Sequence, residues 1–274
     1  MRTFVIAEAG SCHDGSLAKA QDLVRLAKAI GADAVKFQWL SSAAKLCARR
    51  NAPEYYDAYS LIEFPYEWIS DLASRCGDNG IEFMCSTYLY EDVPIVAPFV
   101  KRFKIASFEA RDETFFAIHR AFRKPLVIST GMQGGDGQPK VQRDDPDWSR
   151  VLQRGDALLH CVSAYPAPIE EINLRVVRRL TLGWYDDGAI AGLSDHTLHP
   201  WTGALAVAAG AGMVEFHVRL NDTDPKNADY RVARDPREAA EYVRNIRTAE
   251  TMLGDGNKRV MPSEEPMLRY RVRS

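Results

Sequence analysis

Polar side chains able to do chemistry recur in this sequence at one kind of place, the far end of a short apolar run. Glu8 closes Val5-Ile6-Ala7, Lys36 and Gln38 flank Phe37, and Lys104 leads into Ser107 and Glu109. Hydroxyls stand in the same way at Ser86 with Thr87, Ser129 with Thr130, Ser163, and Ser194 with Asp195. His196 follows directly, and Glu215 and His217 end the last such run. Any one of these could be a satisfied polar group of a core, but packing accounts poorly for a set spread over eight run ends. Two lysines aimed into one space imply an anion, because a buried ammonium is costly unless paired and phosphate or carboxylate is its usual partner. The serine and threonine hydroxyls would supply the remaining donors. His196 and His217 suit a divalent transition metal held with positions open for water or substrate. His119 and His199 lie elsewhere, so two histidines on their own decide little.

The elements that must position these residues are legible in the pattern. Strand-like runs occur at Thr3–Ala9, Ala34–Trp39, Glu82–Thr87, Arg102–Ser107, Leu126–Thr130, Ala157–Ser163, Ile190–Asp195 and Met213–Val218. Most are continuously apolar, as expected for parallel strands covered on both faces. Helical spacing fills the gaps at Leu17–Ile30, Tyr66–Cys76, Asp112–Arg123, Leu174–Leu182, Trp201–Ala209 and Pro236–Leu253. Asp112 and Asp235 are good capping residues, the latter with Pro236 at the first helical position. Strict alternation argues for βαβ units, and eight of them for an α/β fold of the closed (β/α)8 TIM-barrel type. The 274 residues suit a barrel of roughly 250. Two long connections, Leu40–Pro65 and Gly134–Asp147, follow strands on the face where barrels carry their chemistry.

Composition bounds the rest. With 46% hydrophobic and 26% charged residues the chain reads as a soluble globular protein. A formal net charge of -2 gives no reason to expect a nucleic-acid or membrane partner. Glu8 interrupts the N-terminal apolar run too early for a signal-peptide core, and no apolar stretch reaches a membrane-spanning length. Five cysteines without CxxC spacing fit unbridged thiols in a reducing compartment, so a cytoplasmic location is expected.

Read together, the motifs resemble the sialic acid synthase family, which includes synthases of N-acetylneuraminic, legionaminic and pseudaminic acids. The resemblance rests on Ile6-Ala7-Glu8-Ala9-Gly10 with His13-Asp14-Gly15-Ser16, on Gly31 to Gln38, and on Lys104-Ile105-Ala106-Ser107 with Glu109. It continues through Ser129-Thr130-Gly131-Met132, Leu159 to Pro168, and Gly192-Leu193-Ser194-Asp195-His196-Thr197. It implies a metal-dependent condensation of phosphoenolpyruvate with an aldose, N-acetylmannosamine or a relative, giving a 2-keto-3-deoxy sugar acid and phosphate. His196 and His217 match the metal-binding histidines, with Mn2+ or Mg2+ as the usual ion, polarising the aldehyde. Lys36, Lys104, Ser107, Ser129, Ser163 and Ser194 fall at or near positions that hold phosphoenolpyruvate, and Thr87 is a further substrate-binding candidate. Glu8, Gln38 and Asp229 match positions near the sugar, and Glu109 a carboxylate that handles protons or activates water.

The departures bear on the acceptor. Phe216 stands where the family has a lysine or arginine, Cys12 where it has Asn, and the region around Asn227-Ala228-Asp229-Tyr230 is loosely kept. The aromatic stretch with Tyr55, Tyr56 and Tyr59 has no strong counterpart. Family members continue into a C-terminal antifreeze-like domain that reaches across a dimer; this chain stops near where it would begin, so one barrel domain over residues 1–274 is expected. The two long connections then become candidate lids, the first carrying Arg49 and Arg50, and a homodimer stays open. Two alternatives remain: the same chemistry on a different, non-sialic aldehyde, or a non-catalytic barrel that binds a phosphorylated ligand or a partner protein.

Overall fold

The protein is described from a computed structural model that defines residues 2–133, 152–184 and 188–272. Eight parallel strands close in chain order into a barrel. They are β1 (Phe4–Gly10), β2 (Ala34–Gln38), β3 (Glu82–Ser86), β4 (Phe103–Ile105), β5 (Leu126–Ser129), β6 (Ala157–His160), β7 (Ile190–Asp195) and β8 (Met213–His217). The expected strands are all present, most of them trimmed by one to three residues at an end.

The helices are α1 (Leu17–Ala29), α2 (Ala43–Arg50), α3 (Tyr56–Ser60), α4 (Glu67–Asp78), α5 (Val93–Val96), α6 (Glu113–Arg120), α7 (Arg175–Trp184), α8 (Thr202–Ala208) and α9 (Pro236–Leu253). Asp112 caps α6 by accepting from Phe115 N at 2.8 Å. Asp235 caps α9 in a reciprocal box with Glu238, behind Pro236. The short helices α2 and α3 lie inside the Leu40–Pro65 connection, where no helix is expected from periodicity. The other long connection, Gly134–Asp147, lies outside the described residues. Among those described, no helix is long and apolar enough to cross a membrane.

Side-chain alternation sorts each strand into two roles. Ile6, Ala34, Met84, Val127, Leu159 and Met213 pack together inside the lower barrel, closing it as a core rather than a pore. Their neighbours Val5, Val35, Phe83, Phe103 and Val214 turn outward beneath the helices. Phe216 is one of these outward residues: its ring lies 4.6 Å from that of Tyr242 on α9. The departure from a cationic residue there is therefore a packing feature of the outer wall, remote from the barrel interior.

Candidate active site

Inside the barrel the same alternation that buries Ile6, Ala34 and Met213 carries Glu8, Lys36 and His217 to the C-terminal mouth. They open onto a cavity of about 790 Å3. Register assembles the set: Glu8 lies beside Lys36 on one side and His217 on the other. Ser86 stands between Gln38 and Lys104, and Ser194 beside Glu215. Ser107, Ser129, Ser163, His196 and Asp229 line the same space.

Among the residues expected to bind substrate, Thr87 alone is not among those lining the cavity. Ser86 takes its place, because on β3 the inward side follows Met84 and Ser86. Thr87 is buried, and its Oγ1 has no hydrogen-bond partner among the described residues.

The two lysines form an alternating charge array. Lys36 Nζ lies 2.6 Å from Glu8 Oε2 and 3.8 Å from Glu215 Oε2, and donates to Ser86 Oγ at 3.1 Å. Lys104 Nζ lies 3.7 Å from Glu215 Oε1 and donates to Ser129 Oγ at 2.8 Å. Ser194 Oγ donates to Glu215 Oε1 at 3.1 Å. All four charged groups are buried. Burial pushes the Glu215 carboxyl up, but Lys104 and Lys36 outweigh it and hold the group down to about 2. Burial lowers Lys36 as well, and Glu215 and Glu8 more than reverse the effect. Lys104, with Lys36 nearby and weaker carboxylate support, stays below the ordinary lysine range, burial being the main cause. Glu215 was legible as a polar strand end but not as the shared counter-ion of both lysines.

Two glycines give the backbone the room this set requires. At Gly10 φ is +50°, and a Cβ would sit 2.3 Å from Asp229 Oδ2. The turn there lets Ser11 N donate to that oxygen at 2.8 Å, tying Asp229 to the cavity wall. A Cβ at Gly131 would sit 2.1 Å from Ser163 Oγ. Its absence lets Gly131 N donate to Ser107 Oγ at 3.0 Å. Gln38 Nε2 donates to Glu8 Oε1 at 2.6 Å, fixing the carboxylate beside Lys36.

His196 and His217 face one another across the mouth, ring centroids 5.5 Å apart. His196 Nδ1 bonds Val162 O at 2.8 Å, which makes Nδ1 the donor and leaves Nε2 with the imidazole lone pair. Burial, reinforced by His217, holds His196 down to about 4, so the ring is neutral near pH 7. His217 Nδ1 is buried without a hydrogen-bond partner among the described residues, 3.7 Å from Asp229 Oδ1. Among those residues no group of three or more His, Cys, Asp and Glu side chains is disposed to hold an ion. The pair nevertheless fits a divalent metal: two imidazoles face the same space, His196 with its Nε2 lone pair free of the Val162 bond, and the cavity leaves room for oxygen ligands from water or substrate. The ring of Tyr165 lies tilted against His196, centroids 4.3 Å apart, and meets His217 edge-on at 6.1 Å. It lies in one of the motif segments, but its contact with the histidines was not anticipated.

The outer end of the cavity is built by the Leu40–Pro65 connection, which contributes Arg49, Arg50, Tyr55 and Tyr59. Arg50 pairs with Glu109 at 2.5 Å, and Arg49 with Asp112 at 2.5 Å. Glu109 is buried and raised above the usual carboxylate range by that burial, against the pull of Arg50.

A sequence profile of the NeuB family matches residues 23–258. The N,N'-diacetyllegionaminic acid synthase of Legionella pneumophila is 34% identical, over 97% of this chain and 78% of its own length. The pseudaminic acid synthase of Campylobacter jejuni is 31% identical, over 99% and 80%. Human N-acetylneuraminate-9-phosphate synthase is 30% identical, over 95% and 74%. In three dimensions the chain is similar to N-acetylneuraminic acid synthetase from Leptospira borgpetersenii, with a TM-score of 0.84 at 25% identity, covering 99% of this chain and 92% of that one. A truncated 3-deoxy-D-arabino-heptulosonate 7-phosphate synthase from Thermotoga maritima shares the fold, at a TM-score of 0.65 and 11% identity over 92% of this chain and 88% of that one. The strand-end residues, the closed barrel and these matches all point the same way: the chain belongs to the NeuB family.

Proposed function

We propose that the chain condenses phosphoenolpyruvate with an aldose, in the presence of a divalent metal, to give a 2-keto-3-deoxy sugar acid and phosphate. The observation that carries this reading is the buried array of Lys36 and Lys104 between Glu8 and Glu215, opening onto the same cavity as the two histidines and Glu109. In the array alone two positive charges offset two negative ones. A polyanionic substrate entering there needs further positive charge, which a divalent ion, Mn2+ or Mg2+, would add between His196 and His217. When bound, such an ion supplies Lewis acidity for the acceptor aldehyde.

The protein's own groups account for the remaining work. Lys104, Ser129, Ser107 and Ser163 offer donors to phosphate and carboxylate oxygens, and Lys36 and Ser194 complete the cradle. Held there, the enol carbon C3 attacks the aldehyde carbon, forming the C–C bond while the aldehyde oxygen gains a proton. Water then adds at C2 and gives up a proton, for which Glu109 is the available base. The C2–O bond to phosphate breaks, the phosphate leaves with its bridging oxygen and takes up the proton of the hydroxyl that water left on C2, and C2 becomes a ketone. Glu8, Gln38 and Asp229 would receive hydroxyls of the sugar.

A second reading keeps the chemistry and changes the acceptor. It is favoured by the arginine and tyrosine lining from the Leu40–Pro65 connection, which includes the aromatic stretch Tyr55, Tyr56 and Tyr59 that has no strong family counterpart. Phosphate release from phosphoenolpyruvate with Mn2+, across a panel of aldoses, tests both readings. Best turnover with N-acetylmannosamine supports the sialic acid reading. A preference of at least tenfold for another aldose, about 1.4 kcal/mol in barrier, supports the second. Tight phosphoenolpyruvate binding with no release from any aldose would leave the non-catalytic alternative standing.

A further inference from the structure

Glu109 is not a free carboxylate. It sits in the single turn Ser107–Glu109 that follows β4. Its Oε1 receives Arg50 Nη2, while Oε2 is buried with no hydrogen-bond partner among the described residues. Arg50 is the last residue of α2, from a different βα connection. An aromatic cage holds its guanidinium: the carbon lies 4.6 Å from the Phe108 ring centre, 5.1 Å from Tyr88 and 5.5 Å from Tyr59. Tyr59 OH also accepts from Nη1 at 3.2 Å. Such stacking fixes the fork of an arginine in a way that a lysine cannot reproduce.

The arrangement divides the carboxylate. One oxygen is occupied by Arg50, and the other keeps its lone pairs for a proton. We propose that Arg50 is a positioning residue for Glu109, a cation delivered by the α2 connection that keeps this carboxylate ionised and aims Oε2 as the base toward the reacting water. The proposal rests on the reading of Glu109 as base, and it deepens that reading by assigning the residue that makes a buried glutamate usable. Burial alone pushes Glu109 up, and Arg50 is the strongest of the groups pulling it down. Other charged and titratable groups face it from every side. Arg49 on α2 and Lys104 on β4 also favour ionisation. The phenol of Tyr88 beyond β3 lies close enough to interact with it, and Tyr59 of α3 reaches it only through Arg50. Asp112 at the start of α6 is neutralised by Arg49.

The direction of the effect follows. A base must be ionised, so turnover falls as pH drops through its pKa. Removing Arg50 raises that pKa, and the acid limb of the pH profile must move to higher pH. The test compares kcat/KM for phosphate release against pH in the full chain, as wild type, Arg50→Gln, Arg50→Lys and Glu109→Gln. Glu109→Gln is expected to abolish the acid limb along with at least a hundredfold of rate. In Arg50→Gln the limb should rise by about one pH unit or more, the usual scale for losing an adjacent opposite charge. Arg50→Lys keeps the charge without the fork, and should shift the limb less and restore part of the rate. If Arg50→Gln does not fold, Arg50→Lys carries the test alone, through an upward shift measured in a protein with an unchanged urea midpoint. A limb that vanishes in Glu109→Gln but stays put in the Arg50 variants overturns the role of Arg50 and leaves Glu109 as base. A limb that survives in Glu109→Gln overturns both.

Discussion

Lys36, Lys104, Glu8 and Glu215 are four buried charges that make sense only together. Replacing Glu215 with Gln would leave two ammonium groups sharing one carboxylate. The cost is expected near 3 kcal/mol or more, as for other broken buried pairs, read as a fall in the urea midpoint. Added inorganic phosphate should recover part of that loss by supplying the missing negative charge; a variant as stable as wild type would show the lysines to be neutral. The strand ends were legible in the sequence because each apolar run stops at a polar group. Parity was not always legible. In Glu82-Phe83-Met84-Cys85-Ser86-Thr87 both faces are covered, so nothing in the residue types says whether Ser86 or Thr87 turns inward. The structure chooses Ser86, and this too can be measured. Ser86→Ala should weaken phosphoenolpyruvate binding by roughly tenfold, since it removes a hydrogen bond to a charged group. Thr87→Val replaces a hydroxyl unpartnered among the described residues with a methyl group and should change both binding and stability by less than about 1 kcal/mol. Equal losses of binding in the two would contradict this assignment of inward and outward faces.

At the scale of elements, the repeating strands and most long helices could be read from period and caps, as Asp112 and Asp235 illustrate. The Leu40–Pro65 connection could not. Its helices are too short for their periodicity to show, and what orders them is tertiary packing: Ala43 and Leu46 of α2 and Tyr59 of α3 cluster with Ile62 and with Tyr88 and Leu89 from the segment after β3. Arg50 therefore had no visible link to Glu109, 59 residues away in sequence. Phe216 illustrates the opposite case, a conspicuous change with a local meaning. From β8 its side chain packs against Tyr242 of α9, so Phe216→Ala should cost about 3–5 kcal/mol of stability. The relative rates with different aldoses should be unaltered. A change in acceptor preference without loss of stability would mean that the residue reaches the sugar after all.

The whole molecule explains why so many distant residues meet. A closed barrel brings eight strand ends to one rim, where alternate side chains point inward and neighbouring connections can cover them. The reaction proposed above adds the enol carbon of phosphoenolpyruvate to an aldehyde, with water entering at C2. That chemistry leaves a mark on the phosphate. Phosphoenolpyruvate carrying 18O at the C–O–P bridge, incubated with the chain, Mn2+ and an accepted aldose, should release phosphate that retains the label, with a sugar acid formed in equal amount. Release should require the aldose and fall at least a hundredfold in Lys104→Met. Unlabelled phosphate, or labelled phosphate released at the same rate without any aldose, would contradict condensation and mark the barrel as a hydrolase instead.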